Sequence, residues 1–126
     1  MLKRIQTPDA PQAIGPYSQA IAAGNTVYFS GQIAIDPMTA SLVSGGITEQ
    51  MQQIMRNMQA VAAASGGALK NIVKLSIFLT DLANFEVVNT IMQDYFRPPY
   101  PARSTFAVKA LPKAALVEIE AIMVLP

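Results

Sequence analysis

Only two segments of this chain carry a helical period, while at least four read as strands, so any sheet it builds has too few helices to cover both faces. In residues 48–65, Ile47, Met51, Ile54, Met55, Met58, Val61 and Ala62 recur at three- and four-residue spacing, and Gly66-Gly67 supplies a C-terminal stop. Gln50, Gln52, Gln53, Arg56 and Asn57 fill most of the opposite side. Asp81 is a fitting N-cap for a second helix over 82–96, with Phe85, Val88, Met92, Tyr95 and Phe96 as its apolar stripe. Pro98, Pro99 and Pro101 end that helix and hold the next segment extended.

The strand signals lie at 27–33, 71–80, 104–109 and 116–124. The first follows a Gly24-Asn25 turn. In the second, Val73, Leu75, Ile77 and Leu79 are expected on one face and Ile72, Lys74, Ser76 and Phe78 on the other. Asp36-Pro37 and Ser44-Gly45-Gly46 mark loops, and no repeat or linker interrupts the chain. The order predicts one α+β domain over residues 1–126: a two-layer sandwich with a mixed sheet of five to six strands and both helices on one face.

The other face must then be wet or buried by association. Apolar residues make up 52% of the chain and charged residues 13%, against about 25% charged in an average domain. So much apolar sequence on so small a surface favours an oligomer. Net charge is +1 with Lys and Arg scattered, which lacks the basic stripe of a nucleic-acid binder. There is no Cys, so disulfides, thiolate catalysis and Cys-ligated metals are excluded, and no His, the commonest general base and metal ligand. The N-terminus lacks the apolar core of a signal peptide and no apolar run reaches membrane-spanning length, so a soluble cytoplasmic protein is expected.

Charges inside apolar strands need a reason, because burying one is costly unless it is paired or used. Arg103 enters one such strand behind Pro101, and Glu118 and Glu120 sit at i and i+2 in the last strand, on the side away from the helices. Burial beside a like charge raises a glutamate pKa, which suits proton transfer near neutrality. Arg103 is equally consistent with a salt bridge to either glutamate and with a fork that clamps a carboxylate. Gly31, inside the first strand, marks either a bulge or a close approach by a ligand or another group. Ile14-Gly15-Pro16-Tyr17 reads as a rigid turn presenting a Tyr hydroxyl, or as a tight connection with a half-buried Tyr. Ser30 lacks the His and the G-x-S-x-G elbow of a hydrolase nucleophile.

Five segments in order resemble the Rid family, also called YjgF or reactive intermediate deaminase proteins: Ile14-Gly-Pro-Tyr-Ser-Gln-Ala20, Ser30-Gly-Gln-Ile33, Asp81-Leu82 through Phe85 with Val88-Asn89, Pro101-Ala-Arg-Ser104 and Val117-Glu-Ile-Glu-Ala-Ile122. The resemblance runs from about residue 7 to residue 124. It implies a chorismate-mutase-like fold assembled as a homotrimer, with sites in clefts between subunits. It also implies hydrolysis of 2-imino acids and their enamine tautomers, such as 2-aminoacrylate and 2-iminobutanoate, to 2-keto acids and ammonia, with no cofactor and no metal. On that resemblance Arg103 would clamp the substrate carboxylate, Glu118 would handle water and protons, and Tyr17 and Ser30 would line the pocket. Backbone groups at Gly31 and Thr105 would help anchor the carboxylate, with Asn89 nearby. The family is also associated with RNA cleavage that inhibits translation, and the same cleft would suit a non-catalytic ligand-binding or holdase trimer. The chain departs from the common pattern at Thr105, where many members have Cys, at Met92, where Tyr is common, and at Ala34, where Pro often stands. None of the three is expected to touch Arg103 or Glu118.

Overall fold

A computed structural model describes all residues 1–126. Strands β1 (Leu2–Ile5), β2 (Ala20–Ala23) and β3 (Thr26–Gln32) form an antiparallel meander, and β4 (Ile35–Asp36) and β5 (Ser41–Leu42) a small separate hairpin. Helix α1 (Ile47–Ala64) leads to β6 (Ile72–Leu79), and α2 (Phe85–Tyr95) to β7 (Ala102–Ala107); β8 (Val117–Val124) closes the chain. The main sheet has six strands in the order β1-β2-β3-β8-β6-β7, antiparallel except for the β6–β7 pair. β8 is thus threaded between β3 and β6, and β7 is an edge. Both helices lie on one face, as the shortage of helical segments requires.

The core forms where α1 meets the sheet. Met51, Ile54, Met55 and Met58 meet Val27, Leu75, Ile77, Ile119 and Met123 there, all fully buried. α1 ends as the Gly66-Gly67 signal implies: Gly66 takes φ +91 and the Gly67 N–H donates to the Ala62 carbonyl at 2.9 Å. The Asp81 carboxylate accepts from the Ala83 N–H at 2.9 Å, but it caps a 3-10 turn, Leu82–Asn84, and α2 proper begins only at Phe85.

Two faces differ from the periodic reading. Val73 is 46% exposed while Ile72 is buried, the reverse of the expectation for β6. The cause is a bulge: Ile72 pairs with Met123 and Lys74 with Ile122, so the extra residue switches the parity. On α1, Gln50, Gln53 and Asn57 are buried rather than wet, and each spends its amide on a hydrogen bond. The helix is wrapped on more than half its circumference by loops as well as by the sheet.

The second face of the sheet carries no helix. Rows of directly paired residues cross it, one reading Tyr28, Ile122, Lys74, Ala102 and another Glu118, Phe78, Phe106. Phe78 and Phe106 stack at 6.4 Å between centroids, yet Phe106 stays 54% and Tyr28 50% exposed. An apolar, partly charged face of this extent is one that association would cover. Truncating the core against α1, Met58→Ala, should lower unfolding free energy by about 2–5 kcal/mol in a denaturant titration.

Candidate active site

The site begins with a defect in β3. Phe29 pairs with Ala121 and Gln32 with Ile119, so Ser30 and Gly31 together oppose a single residue of β8. The bulge turns the backbone at Gly31 toward Glu118, whose side chain lies on the helix-free face opposite Phe78. A Cβ on Gly31 would overlap Glu118 Oε2 and stand 2.9 Å from its Cδ. Gly31 is therefore both a bulge residue and a close-approach residue, and the approaching group is the Glu118 carboxyl.

Around this contact lies a cleft of ≈ 380 Å³ whose walls include Tyr17, Gly31, Gln32, Ile35, Lys113 and Glu118. Burial, and then the neighbouring Glu120 charge, push the Glu118 carboxyl above its usual 4.5. Glu120 itself is exposed. Tyr17 is 54% exposed at the cleft mouth, held by a turn in which Gly15 takes φ +117 and the Tyr17 N–H donates to the Gly15 carbonyl at 2.9 Å. Ser30 does not face the cleft directly: its hydroxyl donates to the Ser18 carbonyl and its N–H to the Gln19 carbonyl at 3.0 Å. Ser30 thus fastens the Tyr17 turn to β3.

Arg103 belongs to a second cleft. On β7 it pairs with Leu75, so its side chain lies on the helix face, with β6 between it and β8. The guanidinium donates to Asn89 Oδ1 at 2.5 Å, lies 3.5 Å from Met92 Sδ and sits 5.0 Å above the Phe85 ring. All three partners belong to α2, which removes the salt bridge to Glu118 or Glu120 as an account of this residue. Met92 does touch Arg103, contrary to expectation. This second cleft, ≈ 480 Å³, is lined by Asn89, Met92, Gln93, Tyr100, Pro101 and Arg103. Thr105, two residues further on the same strand face, has a buried hydroxyl with no hydrogen-bond partner. Within one chain, then, Tyr17, Gly31 and Glu118 come together, Arg103 and Asn89 come together, and the two groups stay apart. Gln32 and Lys113 line the Glu118 cleft without having been marked by the sequence. Gln32 sat beside Gly31 in the Ser-Gly-Gln run, but Lys113, at φ +56 in a loop, gave no signal.

The fold thus presents a carboxyl of raised pKa against a bulged strand in one cleft and an arginine on an edge strand in another. A family model described as Endoribonuclease L-PSP matches residues 7–125. The chain is 50% identical over 121 residues to the 2-iminobutanoate/2-iminopropanoate deaminase of Dermatophagoides farinae, covering 96% of this chain and 94% of the relative. It is 45% identical to the human protein of the same name, covering 95% and 88%. Among solved structures, Yersinia pestis YyfA, described as a protein of unknown function of the conserved Rid family, superposes with a TM-score of 0.97 at 48% identity, covering 99% of this chain and 100% of that one. The chain belongs to this family, named both for endoribonuclease L-PSP and for Rid.

The raised Glu118 pKa has a consequence for stability. Between 4.5 and its folded value the native chain holds a proton that the unfolded chain releases, so stability falls as pH rises through that window. Glu118→Gln, which cannot ionise, should melt at a higher temperature than the parent at about pH 7 and at the same temperature at about pH 4. Thermal melts of both proteins across this range check it.

Proposed function

We propose that the protein hydrolyses 2-imino acids and their enamine tautomers, 2-aminoacrylate and 2-iminobutanoate among them, to 2-keto acids and ammonia. The observation that carries this reading is the Glu118 carboxyl, held against Gly31 in a cleft and titrating above its ordinary range. The names of the relatives at 45–50% identity support it.

In the proposed reaction Arg103, kept in place by Asn89 and Phe85, takes the substrate carboxylate in its fork. The iminium carbon is already electrophilic. Glu118 accepts a proton from a water as its oxygen bonds to that carbon, then passes the proton to the nitrogen of the resulting carbinolamine. As the C–N bond breaks, Glu118 takes the hydroxyl proton, the carbonyl forms and ammonia leaves; that proton then passes to ammonia, which departs as ammonium, so one water is consumed and charge balances. Tyr17 at the mouth and the Gly31 and Thr105 backbone hold the substrate and water in line. Orientation by these groups, with one acid/base carboxyl, suffices for so reactive a substrate.

Because Arg103 and Glu118 lie on opposite faces of one sheet, the proposed site takes Arg103 from one copy and Glu118 from the next. A homotrimer built on the helix-free face would supply three such clefts and cover Tyr28 and Phe106. The compartment we propose is the cytoplasm, where the dehydratases that release such imines from serine and threonine would act.

With a threonine or serine dehydratase supplying the imine, added protein should accelerate keto-acid formation; decay at the buffer rate would refute the reading. Arg103→Ala and Glu118→Gln should each lose about 10²–10⁴-fold in kcat/KM while keeping the oligomer. Reassembled one to one, the two variants should recover about a quarter of parental activity if the site is shared between copies, and nothing if it lies within one chain.

The pH profile follows from the same carboxyl. Its base form is needed to take the water proton, so kcat/KM should fall as pH drops through a value above 4.5. Glu120→Gln, which removes the like charge, should move that limb to lower pH, a shift that a pH–rate series would detect.

A further inference from the structure

The buried polar side of α1 has a use that the reaction does not name. Gln50, Gln53 and Asn57 are buried, and two of them reach out of the helix to the backbone beside the Glu118 cleft. Gln50 Oε1 accepts from the Leu116 N–H at 2.9 Å. Leu116 lies two residues before Glu118 and three after Lys113, in the segment that brings the chain from the cleft wall into β8. Asn57 Nδ2 donates to the Ile35 carbonyl at 2.9 Å, and Ile35, from the β4 segment, forms another part of the cleft wall. Behind Asn57 the bonds continue: Gln53 Nε2 donates to Asn57 Oδ1 at 2.9 Å, and Arg56, on the exposed side, donates to Gln53 Oε1 at 3.0 Å.

The other buried positions of α1 are all apolar, and apolar residues at these three would leave the Leu116 N–H and the Ile35 carbonyl without these partners. What an apolar residue cannot do is hold a loop carbonyl and a loop N–H at fixed positions beside the cleft. The loop that Gln50 holds is also a strained one, since Lys113 and Ala114 both take left-handed φ, +56 and +55.

We propose that Gln50 and the Gln53–Asn57 pair are positioning residues that clamp two parts of the wall of the Glu118 cleft and so set how far water reaches the carboxyl. The proposal rests on the deaminase reading for its effect on turnover, but the clamp itself is measurable without it. Its signature lies in the titration of Glu118. The charged and titratable groups around that carboxyl are Glu120 on its own strand, Tyr17 and Lys113 in the cleft and, in the proposed assembly, Arg103 of the next copy, while β3 and β6 present Gly31 and Phe78 to it. None of these changes when Gln50 is replaced, so a displaced titration reports the walls.

Gln50→Met keeps the volume and removes the acceptor. It should keep the fold, lose about tenfold in kcat/KM, move the acid limb of the pH profile to lower pH as Glu118 hydrates, and speed amide exchange at Leu116. Gln50→Glu, which retains an acceptor oxygen for Leu116, should bring exchange at that amide back toward the parent. Met51→Leu, equally buried on α1 but making no hydrogen bond to the walls, should leave the limb where it is. If Gln50→Met lowers the melting temperature and leaves the limb unmoved, the residue is structural only and the inference is overturned. Should that variant fail to fold, Arg56→Ala at the exposed end of the relay decides: a smaller displacement in the same direction supports the clamp, and an unmoved limb overturns it. Should the parent show no deaminase activity, the functional reading fails separately, and direct titration of the Glu118 carboxyl by NMR in the same variants still decides the clamp.

Discussion

The contact between the Glu118 carboxyl and Gly31 is the constraint on which the site depends. A carboxyl can stand against a strand backbone only where no Cβ intervenes and where the strand is turned toward it, and the bulge at Ser30-Gly31 meets both conditions at one residue. The same bulge lets Ser30 tie the Tyr17 turn down through the Ser18 and Gln19 carbonyls. One irregularity in β3 therefore places a carboxyl, shields it, and fixes the loop that forms the mouth of its cleft. The elevated Glu118 pKa follows from this shielding first and from Glu120 second.

Arg103 is held by a separate and equally local device. Its guanidinium is placed by three residues of α2, a carbonyl oxygen, a thioether and an aromatic face, none of which neutralises it. An arginine held by neutral partners keeps its full charge, whereas a salt bridge would spend it. Met92 takes part here. The thioether where tyrosine is common in the family meets the guanidinium with a weak acceptor and adds no hydroxyl to the cleft.

Much of the architecture was legible because periodicity and stop signals agree over long segments. The methionine stripe of α1, the Gly66-Gly67 stop and the alternation of β8 all appear as read. The misreadings share a physical origin: pattern reports which residues are apolar, not what else covers a face. A single bulged residue reverses the parity of β6 at Val73. Glutamines and an asparagine on α1 look solvent-facing until loops, which leave no period, fold over them. β1 was not separately marked, since Leu2–Ile5 carries two charges in four residues and is held as a strand only by pairing with β2. For the site, residue types pointed to Glu118, Gly31 and Tyr17, which do meet. They could not reveal that Arg103 faces the other side of the sheet, because the face follows from register: Arg103 pairs with Leu75 and Glu118 with Phe78, an odd number of residues apart on β6.

That separation ties chemistry to assembly. In a single chain Glu118 is half-buried and Arg103 half-exposed, each on its own face and each reached by water. An arginine–carboxylate contact in such surroundings is screened, and a general base there competes with bulk solvent. Joining copies through the helix-free face, as proposed, would exclude water from the cleft at the same moment that it brings the two groups together. The scarcity of charge, 13% of residues, then serves both ends: it leaves an apolar face able to associate, and it leaves the few charges at the seam unscreened by others. If the site is shared as proposed, a monomeric variant of this chain would keep every site residue in place and still lack a site.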